Sequence, residues 1–142
     1  MIDDPEAIVY RTYAGSPDSD RPDLAFATTV IEPGDVGGEF FMTRGHRHVQ
    51  PERGEYMLTL GGTGCLVLMD ETGKCWSEPM AAGTMHLIDG RHAHRVANVG
   101  KDRLKFLVVW LTDCGHDYKV HFSSRVIRGV NGPTLKAEGE PR

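Results

Sequence analysis

Gly45-His46-Arg47-His48 sets two imidazoles two residues apart. On a strand, side chains at that spacing leave the same face. Two neutral ring nitrogens then converge on one point, which suits a first-row metal ion. Glu55 follows seven residues after His48, beyond Pro51 and Gly54. A turn there returns the chain alongside and brings a carboxylate to the same point. His94 lies 46 residues past His48, on a strand with a neighbouring apolar run. Three imidazoles and one carboxylate leave room for water or substrate on an ion that prefers six ligands. The chemistry this implies is metal-assisted: polarising a carbonyl or activating dioxygen. His86, His92 and His121 fit none of these spacings and are expected to be non-ligands, although His92 and His94 form a second H-x-H pair.

Something rigid must hold these groups, and the rest of the chain reads as strands. From Ala25 onward, short β-prone runs alternate with turn signals. The runs are Ala25–Ile31, Glu39–Thr43, Tyr56–Leu60, Cys65–Met69, Lys74–Ser77, Thr84–Ile88, His94–Val99, Leu104–Leu111 and Val120–Ile127. Pro33-Gly34-Asp35, Gly37-Gly38, Gly61-Gly62 and Asp70-Glu71-Thr72-Gly73 punctuate them, and Pro79 and Gly83 are expected to bracket another turn. Turns every 8–12 residues or so mean an all-β sandwich or barrel. The expected layout is an N-terminal arm, edge strand and loop over 1–24, an antiparallel β-barrel over 25–128 and a fraying tail over 129–142. A short helix near the N-terminus is the one departure this reading admits.

The 142 residues carry 39% hydrophobic and 25% charged side chains, enough for one modest core. Sixteen Lys and Arg stand against 20 Asp and Glu, for a net charge of −4. That is no basic stripe for nucleic acid. The longest apolar run, Phe106–Leu111, is the size of a buried strand and far short of a membrane span. Met1-Ile2-Asp3-Asp4 is acidic and lacks the basic and apolar regions of a signal peptide. Cys65, Cys75 and Cys114 make an odd count with no C-x-x-C spacing, which suits reduced thiols. The expectation is a cytoplasmic protein.

The ligand pattern resembles the cupin superfamily, whose fold is a jelly-roll-like antiparallel barrel. The first cupin motif is carried by His46, His48, Glu55 and Gly62, and the second by Gly83, His94 and Asn98. Asp89 and Arg91 stand where the second motif has Pro and Gly, and the gap from His48 to Glu55 is longer than in most cupins. That gap looks like the cupin-type glucose-6-phosphate isomerases. Three runs carry the likeness: Gly38 through His48 with Glu55, Ala93 through Gly100, and Asp113-Cys114-Gly115-His116-Asp117-Tyr118. The last is close to that family's D-A-G-H-D-Y.

The resemblance implies interconversion of glucose 6-phosphate and fructose 6-phosphate. It implies one divalent metal per chain, held by His46, His48, Glu55 and His94. Fe(II) is favoured, with Mn(II), Ni(II), Co(II) or Zn(II) as alternatives. Glu55, His116 and Tyr118 are the catalytic candidates. Carried over position by position, the phosphate pocket would use Tyr10, Thr29, Thr43 and Gly45, beside Trp110. Trp110 and Met57 stand where the family has tyrosines, and Tyr56 points the other way if this is a strand. A sugar phosphate is the expected partner, with no nucleic acid and no membrane, and a homodimer pairing through edge strands. An Fe(II) cupin dioxygenase and a non-catalytic metal- or sugar-phosphate-binding cupin remain the alternatives.

Overall fold

Alternation decides which residues face inward. In Leu24–Ile31, Ala25, Ala27, Thr29 and Ile31 are buried, while the alternating Leu24 and Phe26 are exposed. The computed structural model describes residues 7–140, so the acidic start at Met1-Ile2-Asp3-Asp4 lies outside the described residues.

The strands in chain order begin with β1 (Tyr10–Gly15), β2 (Leu24–Ile31), β3 (Asp35–Val36) and β4 (Glu39–Phe40). Next come β5 (Arg47–His48), β6 (Glu55–Gly61), β7 (Thr63–Met69), β8 (Cys75–Ala81) and β9 (Met85–Ile88). Then follow β10 (Ala93–Asn98), β11 (Leu104–Leu111), β12 (His116–Asp117), β13 (Ser124–Gly129) and β14 (Gly132–Ala137). All pairings are antiparallel. A five-stranded sheet has the order β1-β2-β11-β6-β9, a three-stranded one β10-β7-β8, and a four-stranded one β14-β13-β4-β3. The short pair β12-β5 makes up the rest. The architecture is all-β, as expected, and among the described residues there is no helix.

The three-stranded sheet is the middle layer. Leu66 and Leu68 of β7 join Ile31, Met57, Leu104 and Phe106 of the five-stranded sheet in one core. Val67 and Met69 join Phe40, Phe122 and Val126 in a second core on the other side. A strand covered on both faces needs apolar residues at every position, hence the unbroken Cys65–Met69 run. Asn98 is fully buried and acts as a clamp. Its side-chain amide donates to the Ile31 and Asp102 carbonyls, and its oxygen accepts from the Gly100 amide.

Two expectations change. Pro79 lies inside β8, paired with Cys65, rather than in a turn. β8 is an edge strand, where a missing amide donor costs no ladder bond, and the turn narrows to Ala82-Gly83, keeping the expected Gly83 end. From Gly129 the chain does not simply fray: β14 pairs with β13 around Val130-Asn131. The loop is Val130-Asn131, and Gly132, which opens β14, takes a φ of 119° that favours glycine. Asp89 and Arg91, at the motif's turn positions, make their own turn. The Asp89 carboxylate accepts from the Arg91 amide at 3.0 Å and pairs with its guanidinium.

Candidate functional site

Strand register brings the four candidate ligands together. His46 and His94 face each other across an isolated antiparallel bridge, each amide donating to the other's carbonyl at 3.1 and 2.9 Å. His48 is the register partner of His116 in the β5–β12 pair. Glu55 opens β6, between Trp110 of β11 and Ile88 of β9. The donor atoms of His46, His48, Glu55 and His94 all lie within 4.8 Å of one another.

The hydrogen bonds decide which nitrogen of each ring faces the cluster. Nδ1 of His48 donates to the Arg53 carbonyl, and Nδ1 of His94 to the His92 carbonyl at 3.2 Å. In the neutral rings, Nε2 then carries the lone pair. His48 Nε2 lies 3.4 Å from one Glu55 oxygen and His94 Nε2 lies 3.2 Å from the other. The Nε2 atoms of His46, His48 and His94 are buried and have no hydrogen-bond partner. Lone pairs aimed at a buried carboxylate repel it unless a cation lies between them. A divalent ion satisfies all four groups at once, and the residues fit one.

The directions at His46 and Glu55 agree with that reading, while the raised value at His48 favours a proton where the ion would lie. Burial pushes the His46 imidazole down to about 3, with neighbouring His94 adding to the effect, so that ring is neutral. Burial favours the neutral acid at Glu55, but the facing His48 and His94 rings, which can donate to it and attract it only when protonated, outweigh that burial. The carboxyl is held well below the ordinary carboxylate range. At His48 burial lowers the pKa, but Glu55 and the Arg53 carbonyl outweigh it and the value is raised. His116 is lowered by burial and by His48, so it too is neutral at pH 7. The Tyr118 hydroxyl is raised by burial and by Tyr10, and stays protonated.

These groups open onto a cavity of about 250 Å³. Its lining includes His46, Glu55, His94, His116 and Tyr118, and also Tyr10, Thr29, Thr43, Gly45 and Trp110. His48 is buried behind that wall. The Thr43 hydroxyl accepts from the Val96 amide at 3.1 Å, which leaves its own proton free to point into the cavity. Arg44 reaches the cavity as well, stacked 5.3 Å from the Tyr118 ring centre. Met57 lines the cavity while Tyr56 is 53% exposed on the opposite face. Gly45 has φ of 79°, and a Cβ there would sit 2.8 Å from the Arg95 Cβ and 2.9 Å from the His94 carbonyl oxygen. Its glycine is needed for the His46–His94 bridge itself. His86, His92 and His121 lie elsewhere: His86 Nε2 is 3.5 Å from Glu78, His92 packs edge-on against Trp76, and His121 lines a separate polar pocket.

Two contributors escaped the sequence reading. Thr12 lines the cavity, its hydroxyl 2.9 Å from that of Thr29. Its two-residue spacing from Tyr10 on β1 was the available signal. Arg53 orients His48 through its carbonyl, and its guanidinium makes a two-pronged ion pair with Asp113, 3.0 Å at the closest. It thereby ties the His48 side of the site to the segment leading to His116. A backbone carbonyl has no sequence signature, so nothing pointed to it.

The profile of the glucose-6-phosphate isomerase (GPI) family matches residues 3–131. The glucose-6-phosphate isomerase of Thermococcus kodakarensis is 40% identical over 135 residues, 95% of this chain and 69% of that one. That of Pyrococcus horikoshii is 38% identical over 118 residues, covering 83% of this chain and 62% of that one. The chain thus spans about two thirds of the length of these curated relatives. Among solved structures, oxalate decarboxylase of Bacillus subtilis superposes with a TM-score of 0.60 at 21% identity, over 79% of this chain and 28% of that one. An oxalate oxidase gives 0.56 at 19%, over 68% and 46%. At such identity the likeness concerns the fold, which is that of the cupins. With the profile spanning nearly the whole chain, this protein belongs to the glucose-6-phosphate isomerase family.

Proposed function

We propose that this chain interconverts glucose 6-phosphate and fructose 6-phosphate with one bound divalent metal. The observation that carries the reading is the convergence of three unpartnered imidazole nitrogens and an ionised carboxylate at a hydroxyl-lined cavity. His46, His48, Glu55 and His94 would hold the ion. Bound there, it would act as a Lewis acid toward the sugar's carbonyl oxygen.

The side chains do the rest. His116, neutral and on the cavity wall, can take a proton from a sugar hydroxyl and return it during ring opening. Tyr118, kept protonated, donates a hydrogen bond to a sugar oxygen. Glu55 has both oxygens turned toward ring nitrogens, so its first role is to hold the ion and its second to relay a proton between the sugar's neighbouring oxygens. Tyr10, Thr12, Thr29 and Thr43 supply hydroxyls for the phosphate, and Arg44 on the cavity lining supplies a cation. Trp110 can offer only its indole N–H. Iron(II) is placed first on the family resemblance alone, since three imidazoles and a carboxylate suit manganese, nickel, cobalt and zinc as well. The three free cysteines fit a cytoplasmic location.

The partner reading extends to a second copy of the chain. On the outer face of the five-stranded sheet, Gly15, Phe26, Val109, Tyr56 and Leu87 form one cross-strand row. Tyr13, Thr28, Leu107, Leu58 and Met85 form the next. Neither row contains a charge. The two uncharged rows cover roughly 330 Å² from strand spacing and rise, with Leu24 and Leu111 at one end and Leu60 beside Arg11 and Lys105 at the other. Specific interfaces bury roughly 600–1,000 Å² per partner, so a dimer seated here would take these rows as its centre and the Arg11 and Lys105 row as part of its rim. We read this face, rather than an edge strand, as the homodimer surface.

The experiment is a coupled assay of fructose 6-phosphate conversion, run beside an oxygen electrode. The expected result is glucose 6-phosphate formed without oxygen uptake. Oxygen uptake would favour the dioxygenase reading, and ion binding without turnover would favour a binding protein.

A further inference from the structure

A second set of donors lies beside the first and uses a different chemistry. Cys114 is fully buried, and its Sγ lies 3.7 Å from His116 Nε2. His48 completes the set: donor atoms of His48, Cys114 and His116 all lie within 4.8 Å of one another. His48 is 3% exposed and its Nε2 has no hydrogen-bond partner. The backbone holds the three in place. The Val49 amide donates to the Gly115 carbonyl at 3.2 Å and the Gln50 amide to the Cys114 carbonyl at 2.9 Å. His48 and His116 are register partners, and Arg53 clamps Asp113 next to Cys114. A tetrahedral site with metal–sulfur bonds near 2.3 Å and metal–nitrogen bonds near 2.0 Å sets its donors about 3.3–3.7 Å apart. The sulfur–nitrogen distance already has that value.

We propose that His48, Cys114 and His116 form a second, thiophilic metal site for a zinc-class ion, and that it is exclusive of the His46–His48–Glu55–His94 site. Two imidazoles and a thiolate are the softer donor set, whereas three imidazoles and a carboxylate are the harder one. His48 Nε2 has one lone pair, so it serves one ion at a time. On binding, the Cys114 S–H bond breaks, sulfur bonds to the ion, and the proton leaves to solvent. His116 lines the cavity and gives the ion its way in. The site itself does not depend on the isomerase reading. Its consequence, that a thiophilic ion silences isomerisation by occupying His48 and His116 together, does rest on that reading.

The test uses cadmium(II) as the zinc-class probe on the full chain carrying Cys65→Ser and Cys75→Ser, which leaves Cys114 as the one thiol. The expected result is a thiolate-to-cadmium absorption band that saturates at one ion per chain and disappears when Cys114→Ala is added. X-ray absorption at the cadmium edge should show one sulfur in the first shell. This second measurement needs no further variant and stands even if Cys114→Ala fails to fold. Protein preloaded with manganese(II) should release it as cadmium binds, read by the resonance signal of free manganese. An all-nitrogen-and-oxygen cadmium shell, or a band surviving in Cys114→Ala, overturns the site. Manganese retained at full cadmium loading overturns its exclusivity.

Discussion

Glu55 and Tyr56 are neighbours in β6 and face opposite sides of one sheet. Glu55 is 3% exposed and meets two imidazoles, whereas Tyr56 is 53% exposed among Phe26, Val109 and Leu87. The inner face of the five-stranded sheet carries Thr29, Glu55, Met57 and Trp110, polar and apolar groups mixed around a cavity. The outer face of the same strands carries two rows without a charge. A period of two lets one strand serve both faces, and it makes a one-residue register slip fatal to each of them.

Substitutions on either side of that divide should therefore separate cleanly. The largest effect belongs to Glu55→Gln, which keeps the size and removes the charge among the imidazoles. It should lower kcat for isomerisation by at least about 100-fold and leave the dimer intact, measured by the coupled assay and by sedimentation. One residue on, Tyr56→Lys with Leu87→Lys should give the reverse: monomers by sedimentation, with metal content unchanged. If the charged face still dimerises, the outer rows are not the interface.

Gly45→Ala sharpens the comparison from the backbone side. An alanine at φ of 79° against the His94 carbonyl should cost about 1–3 kcal/mol of stability, read by thermal melting. Loss of bound metal should accompany it, since the same bridge aligns His46 and His94.

Much of the inner face was legible because its chemistry repeats at strand spacing. His46, His48, Glu55 and His94 announce themselves by residue type, and β2, β7 and β11 by their apolar runs. Other features depend on contacts that spacing does not encode. Arg53 acts through a carbonyl, Thr12 depends on β1 pairing with β2, and Pro79 is tolerated only because β8 is an edge. The outer rows were hidden for a different reason. Leu58, Leu107 and Val109 look like core in a sequence, and only the fold shows them on the outer face, with Tyr56 and Leu87 exposed in the same rows.

A smaller effect should follow from Asp113→Asn, which breaks the Arg53 clamp behind His48. Metal affinity should drop by about tenfold or less, the lower end of losses seen when orienting groups are removed. The Arg53 hydrogen bonds and charge hold the Asp113 carboxyl below its ordinary value, outweighing burial, so the sign for pH is fixed. Its contribution is fully present above the ordinary carboxylate pKa and is lost as pH falls through the lowered one. Acid titration of wild type and Asp113→Asn should converge at low pH and separate above it.

The central claim is that His46, His48, Glu55 and His94 hold the ion that isomerisation needs. Turnover measured against metal occupancy, on stripped protein reloaded with iron(II) in steps, tests it most directly. The account predicts activity rising in proportion to bound iron and levelling at one ion per chain. Full turnover in protein carrying no metal would contradict it.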